Sequence, residues 1–331
     1  MEDIEASFFA KHWKNVQVQS PVFITSLPRA GTTILLEGLA QDPALASYTY
    51  RDMPFVYSPV LWNRMSSGFH LSRKKSERAH GDGVLINEDS PEAFEEVVWR
   101  DLTSQVYEAE SIALLFGINR ATASAIQTQI KKIVYLHQRE QGACRYLSKN
   151  NANISRMPVL RQLFPDASIL VPFRNAFEHA YSMWQQHLRF SEMHQADSFV
   201  LSYMRDLGHF EFGALHKPIK FPGLDEIKSA YSTSTFNYWL AYWLNAFEYL
   251  VAQSEPMFLS YETLCVSGQN GIRRLREKLS LTADPTLEKS MADLLREPSS
   301  RDHLQGEVDP DLAEKAHAIN EILGARCILA S

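Results

Sequence analysis

Three short runs of apolar and β-branched residues punctuate the chain: Pro21-Val22-Phe23-Ile24-Thr25, Ala167-Ser168-Ile169-Leu170-Val171-Pro172-Phe173 and Pro256-Met257-Phe258-Leu259-Ser260-Tyr261. None alternates between apolar and polar positions, so each predicts a strand covered on both faces, as in a parallel sheet. Residues 44–50 and 144–148 are shorter strand candidates. Helical periodicity fills the gaps. It covers 32–39, ended by Asp42-Pro43, then 121–141, 154–164 closed by Pro165-Asp166, 176–190 and 234–253. Ser90-Pro91 followed by Glu92, Glu95 and Glu96 predicts a further helix start, with serine as cap and proline in the first turn. Strands alternating with helices predict an α/β fold: a P-loop-type three-layer sandwich with a central parallel sheet flanked by helices.

Two stretches depart from this rhythm. Residues 51–90 read as a long functional loop with short helices, and 191–230 as an insertion of mixed charge with two proline turns. The expectation is one domain spanning 1–331, with both stretches shaping a ligand site. The aromatic group Phe236, Tyr238, Trp239, Tyr242 and Trp243 has helical spacing and reads as core first, substrate wall second.

Charge narrows the chemistry. A formal net charge of −6 argues against bulk affinity for nucleic acid, so any anion site must be local. Cys144, Cys265 and Cys327 form no C-x-x-C pair, and no Cys/His cluster or H-E-x-x-H points to a metal. The N-terminus lacks the pattern of a signal peptide, and no apolar stretch has transmembrane length. The default expectation is a cytoplasmic protein. A homo-oligomer is compatible with the sequence.

The first chemical motif comes directly after the first strand: Ser26-Leu27-Pro28-Arg29-Ala30-Gly31-Thr32-Thr33. It occupies the place of a Walker A loop, G-x-x-x-x-G-K-[ST], but serine replaces the first glycine and Thr32 replaces the lysine. Backbone N–H groups at a helix start still make an anion site. The missing lysine argues for a ligand with one 5′-phosphate rather than a triphosphate. Arg29 adds a permanent cation able to grip two oxygens. The second motif comes after the second strong strand: Arg174 at its end, and Ser182 two turns into the next helix. Both can face one ligand beside the carboxyl edge of the sheet.

The order and spacing of these two elements resemble PAPS-dependent sulfotransferases (PAPS is 3′-phosphoadenosine-5′-phosphosulfate). The loop resembles their 5′-phosphosulfate loop, and its arginine resembles the protein-tyrosine and carbohydrate branches, where the cytosolic branch usually carries lysine. The resemblance implies in-line sulfuryl transfer from PAPS, releasing PAP, to a hydroxyl of a small-molecule, lipid or carbohydrate acceptor. Arg29, Ala30, Gly31, Thr32 and Thr33 would hold the 5′ end, and Arg174 and Ser182 the 3′-phosphate. Lys149, ending a short strand 25 residues before Arg174, resembles a catalytic lysine of the tyrosine branch and would contact the sulfuryl oxygens. Tyr261 resembles the family's F-x-Y-E element. Arg301, in Ser299-Ser300-Arg301, is a candidate for late contacts with the 3′-phosphate.

The general base has several candidates. The tyrosine branch carries a glutamate near Asp52, although strict spacing lands on Tyr50. His80 and Asp82 sit among glycines, and histidine suits base chemistry near neutral pH. Glu88 and Asp89 come next. Two rival readings remain: a P-loop nucleotide kinase or NTPase, and a catalytically inactive PAP-binding protein.

Overall fold

The computed structural model describes residues 2–66, 76–77, 85–107, 109–141, 145–254, 256–296 and 308–330. Its strands are β1 (Val22–Ile24), β2 (Leu45–Ala46), β3 (Ser76–Glu77), β4 (Leu85–Ile86), β5 (Arg145–Lys149), β6 (Ser168–Phe173) and β7 (Met257–Ser260). Its helices up to the sheet's midpoint are α1 (Glu2–Trp13), α2 (Thr32–Leu39), α3 (Pro59–Ser66), α4 (Glu95–Leu102), α5 (Arg120–Gln141) and α6 (Met157–Leu163). The rest are α7 (Ala176–Ala196), α8 (Ser198–Leu207), α9 (Leu224–Ala230), α10 (Phe236–Val251), α11 (Tyr261–Lys278), α12 (Pro285–Leu294) and α13 (Pro310–Ala325).

Five strands form one parallel sheet in the order β2-β5-β1-β6-β7, while β3 and β4 pair separately as an antiparallel ribbon. Helices flank the sheet: α2 lies on β1 and β5, α5 on β2 and β5, and α11 and α13 on β7. The apolar runs seen in the sequence explain the burial. Val22, Phe23 and Ile24 are at most 1 % exposed, as are Ile169, Leu170 and Val171. The sheet grows to both sides of β1, and such a reversal opens a crevice at the carboxyl ends of the strands. Ile24 lies level with Lys149 on one side and Leu170 on the other, so the β1 loop emerges between β5 and β6.

Several boundaries differ from the sequence expectation. The 44–50 strand shrinks to Leu45–Ala46, because Tyr50–Phe55 winds into a 3-10 helix. The helix predicted from Ser90 begins only at Glu95. Residues 90–92 instead run beside 48–50: Tyr50 N donates to Ser90 O at 3.1 Å, Glu92 N donates to Tyr48 O at 3.0 Å, and Thr49 bridges Pro91. Ladder pairing thereby removes the proposed cap from the helix. The helix expected over 154–164 starts at Met157, after a 3-10 turn capped by Asn150.

Glu95 and Glu96, early acids of the helix start expected at Ser90, are buried beneath the end of β5. Glu95 accepts from Tyr146 and from Ser148 Oγ at 2.6 Å. Glu96 accepts from Tyr107 Oη at 2.7 Å, Asn150 Nδ2 at 2.6 Å and Arg156 Nη2 at 2.5 Å. Among the described residues no helix is long and apolar enough to cross a membrane.

The Glu96–Arg156 pair yields a stability prediction. Arg156 is 1 % exposed. Arg156→Met strands the Glu96 carboxylate and is expected to cost about 3–5 kcal/mol, read as a lower urea midpoint with an unchanged slope.

Candidate active site

The loop between β1 and α2 is bent by two left-handed residues, Arg29 with φ 77° and Gly31 with φ 88°. For Arg29 this conformation carries strain of order 1–3 kcal/mol. At Gly31 it is reinforced by crowding: a Cβ there would lie 2.5 Å from Cδ2 of Tyr261. Tyr261 therefore backs the loop with its ring. Its hydroxyl donates to Arg296 O at 3.1 Å, and it is only 5 % exposed. Burial pushes the Tyr261 phenol up to about 12. This packing leaves the ring little free face for an adenine. The first turn of α2 directs N–H groups without helical acceptors toward the loop's concave side.

Across the crevice, the end of β6 brings the second motif to the first. Arg29 Nε donates to Ser182 Oγ at 3.2 Å, joining residues 153 apart in the chain. Arg174 is largely buried, and among the described residues its Nε makes no hydrogen bond while lying 3.7 Å from Glu262 Oε1. Glu262 also accepts from Asn175 N at 3.0 Å and so ties the start of α7 to the start of α11.

His179 on α7 holds the loop from behind. Its Nδ1 accepts from Trp243 Nε1 at 3.1 Å, which leaves Nε2–H to donate to Pro28 O at 2.9 Å. The ring is fully buried. Burial, with the charges of Arg174 and Arg29, holds its pKa down to about 3.

On the β5 side, Asn150 N donates to Ile24 O at 3.0 Å and brings Lys149 beside the loop. A pocket opens between the two. Ser26, Leu27 and Pro28 line it from the loop, Asn150, Asn151 and Ala152 from the end of β5, and Trp239 and Tyr242 from α10. The aromatic stripe thus serves as core and pocket wall at once. The segment after α8 closes the pocket with Phe210, Glu211, His216, Lys217 and Ile219. Ser26 Oγ, fully buried on this wall, has no hydrogen-bond partner among the described residues.

Other predicted residues lie elsewhere. Asp52 accepts from Thr49 N at 2.9 Å and from Thr49 Oγ1 at 3.0 Å, capping the 3-10 helix. It lines a separate cavity with Thr49, Arg51, Asp89 and His137 that shares no lining residue with the loop pocket. Glu88 and Asp89 face Arg51 at 3.8 and 2.6 Å. His80, Asp82 and Arg301 lie outside the described residues. The residue that sequence reasoning missed is Glu211. Its signal, His209-x-Glu211 followed by Phe212-Gly213, lies within the stretch read as an insertion.

A family model described as the sulfotransferase family matches residues 21–213, from the first strand through Glu211 and two residues beyond. The chain belongs to the sulfotransferase family. Among solved structures it resembles sulfotransferase STF9 from Mycobacterium avium, with a TM-score of 0.53 and 15 % identity, over 98 % of this chain and 81 % of that one. It also aligns with sulfotransferase STF1 from Mycobacterium tuberculosis H37Rv, with a TM-score of 0.48 and 14 % identity, over 98 % and 80 % of the two chains. A mouse sulfotransferase crystallised with PAP aligns at a TM-score of 0.37 and 11 % identity, over 95 % and 87 %. The likeness to STF9 concerns the fold of this sulfotransferase. A comparison with curated protein sequences finds no match.

The neutral His179 gives a pH prediction. Its pKa lies near 3 in the folded chain and near 6.5 when unfolded. Between these values the unfolded chain binds the extra proton, so stability is complete above pH 6.5 and falls as pH drops toward 3. His179→Gln keeps a donor for Pro28 O and an acceptor for Trp243. It is expected to flatten that fall by up to about 1.4 kcal/mol per pH unit, measured by urea titration at pH 4.5, 5.5 and 7.

Proposed function

We propose that this sulfotransferase uses PAPS as donor and moves its sulfuryl group in line to a hydroxyl of a small-molecule, lipid or carbohydrate acceptor. The observation that carries this reading is the contact between Arg29 and Ser182. It sets the loop after β1 and the Arg174 end of β6 side by side, close enough for one nucleotide to engage both. Two buried polar atoms without partners among the described residues, Arg174 Nε and Ser26 Oγ, fit an anionic, oxygen-rich guest.

In this reading, backbone N–H groups at residues 30–33 and the Thr32 and Thr33 hydroxyls receive the 5′-phosphate. Arg174 and Ser182 take the 3′-phosphate. Tyr261 contributes by fixing the loop through Gly31 rather than by stacking on the base. Lys149, level with Ile24 at the end of β5, balances the sulfuryl oxygens. Arg29 stabilises the oxygen bridging sulfur and phosphorus as the bond to sulfur breaks. Sulfuryl transfer, like phosphoryl transfer, asks the protein mainly for alignment and charge stabilisation. The acceptor enters the pocket that Trp239 and Tyr242 help to line, an apolar wall that suits a flat or aliphatic body carrying one hydroxyl.

Thermal-shift titration separates this from an NTPase. PAP is expected to stabilise the protein more than ATP with magnesium does, and a larger shift with ATP overturns the assignment. Arg174→Ala is expected to weaken PAP binding by about ten- to a hundredfold, measured by calorimetry. Unchanged affinity removes Arg174 from the donor site. Arg29→Ala is expected to fold and bind PAP yet turn over PAPS at least about a hundredfold more slowly. An unaltered rate refutes its role at the bridging oxygen.

A further inference from the structure

The geometry points to Glu211 as the carboxylate that accepts the acceptor's proton during transfer. The inference rests on the proposed sulfuryl transfer and adds to it a proton acceptor that the sequence reading did not single out.

Glu211 and the donor loop face each other across the acceptor pocket, joined by one side chain. Thr32 Oγ1 donates to Asn151 Oδ1 at 3.4 Å, and Asn151 Nδ2 donates to Glu211 Oε1 at 3.4 Å. Thr25 Oγ1 donates to Asn151 O at 3.3 Å and fixes the same residue to the end of β1. Asn151 thus ties the loop that would receive the 5′-phosphate to the carboxylate that would receive the proton.

Among the described residues two carboxylates line the pocket, Glu96 and Glu211. Glu96 is occupied by Arg156, Tyr107 and Asn150. Among the described residues Glu211 has the long bond from Asn151 and His209 Nδ1 at 3.8 Å, and a third of its side chain remains open. Burial raises its pKa, but the neighbouring His209 and the charge of Lys149 outweigh it and hold the carboxyl near 2. Glu211 is therefore ionised and able to accept at neutral pH. An anionic donor arriving at Lys149 offsets part of that cation's pull and makes the carboxylate more basic as the complex forms.

The segment around Glu211 is also tied to its neighbours by hydrogen bonds. His216 Nδ1 donates to Glu211 O at 2.7 Å, while its Nε2 accepts from Tyr238 Oη at 3.0 Å. Gly213 N donates to His187 Nδ1 at 3.1 Å, and Ala214 N to His194 Nδ1 at 3.2 Å. Gly213 has φ 69°, and a Cβ there would lie 2.6 Å from His194 Nδ1. Three histidines and a glycine without substitute hold this segment in place, as a proton acceptor aimed at a reacting oxygen requires.

The step balances without a co-reactant. The acceptor oxygen attacks sulfur as its proton passes to a Glu211 oxygen. The bond from sulfur to the bridging oxygen breaks, its electron pair leaves with PAP, and the proton is later released to water.

The test uses the full chain, PAPS and a graded set of alkanols and phenols that runs from un-ionised to fully ionised at the assay pH. Glu211→Gln is expected to retain PAP affinity and to lose about a hundredfold or more in turnover of un-ionised acceptors. It should lose little with a phenol already ionised, which needs no base. Glu211→Asp restores a retracted carboxylate and is expected to recover part of the rate. Equal losses for ionised and un-ionised acceptors, or full activity of Glu211→Gln, overturn the assignment. If the parent binds PAP and sulfates no acceptor, or binds no PAP, the transfer reading itself fails and the base falls with it.

Discussion

The site depends on one topological fact: β1 and β6 are parallel neighbours, so the loops that continue from their carboxyl ends leave the sheet at the same edge. Parallel pairing needs a crossover between the strands, and here the crossover carries most of the first half of the chain. Arg29 and Ser182 therefore meet despite their distance in sequence. A one-place slip in the β1–β6 register would turn every side chain of β1 to the other face and carry the loop out of line with Arg174. The full burial of Val22, Phe23 and Ile24 makes such a slip costly.

Around that contact, the loop is clamped rather than left to find its shape. Two left-handed residues bend it, and each clamp meets it at a different point. Tyr261 from α11 fills the space at Gly31, and His179 from α7 holds the Pro28 carbonyl through a tautomer set by Trp243 of α10. Strain at Arg29 is tolerable because these contacts over-determine the loop. A loop so held meets an anion with little further loss of conformational entropy.

Legibility in the sequence tracked the range of the interaction. Runs such as Val22-Phe23-Ile24 and Ile169-Leu170-Val171 announced buried parallel strands because burial on both faces forces an apolar residue at every position. The loop and the Arg174–Ser182 spacing were readable because a strand end and the next helix turn are fixed by local geometry. Ser90-Pro91 misled because pairing with residues 48–50 outweighed a good local cap. Glu95 and Glu96 read only as early acids of a helix, because their partners Tyr146, Ser148 and Arg156 come from a strand and a turn 51 to 60 residues later. Asp52 stood close to the loop in sequence alone. In space its carboxylate is occupied as a cap, and its charged form is disfavoured by burial. Glu211 was hidden for the opposite reason, since the local His209-x-Glu211 pattern does not announce that α8 returns the chain to the end of β5.

The charge pattern ties these observations together. The chain is acidic overall, yet Arg29, Lys149 and Arg174 converge on one edge of the sheet. Arg174 and Lys149 each lie near a carboxylate that restrains the cation without neutralising it at close range. Arg174 has Glu262 at 3.7 Å, beyond hydrogen-bond distance. Glu211 feels the charge of Lys149 but bonds to Asn151 instead. Close ion pairs here would satisfy the cations and make a negative ligand compete for them. Wider spacing keeps the guanidinium and the ammonium oriented while leaving both able to respond to an incoming anion. Glu96 and Arg156 show the contrary case: buried and 2.5 Å apart, the same two kinds of group serve the fold and have nothing left to offer a guest. The separation between opposite charges thus divides the pairs that build this molecule from those that equip it to act.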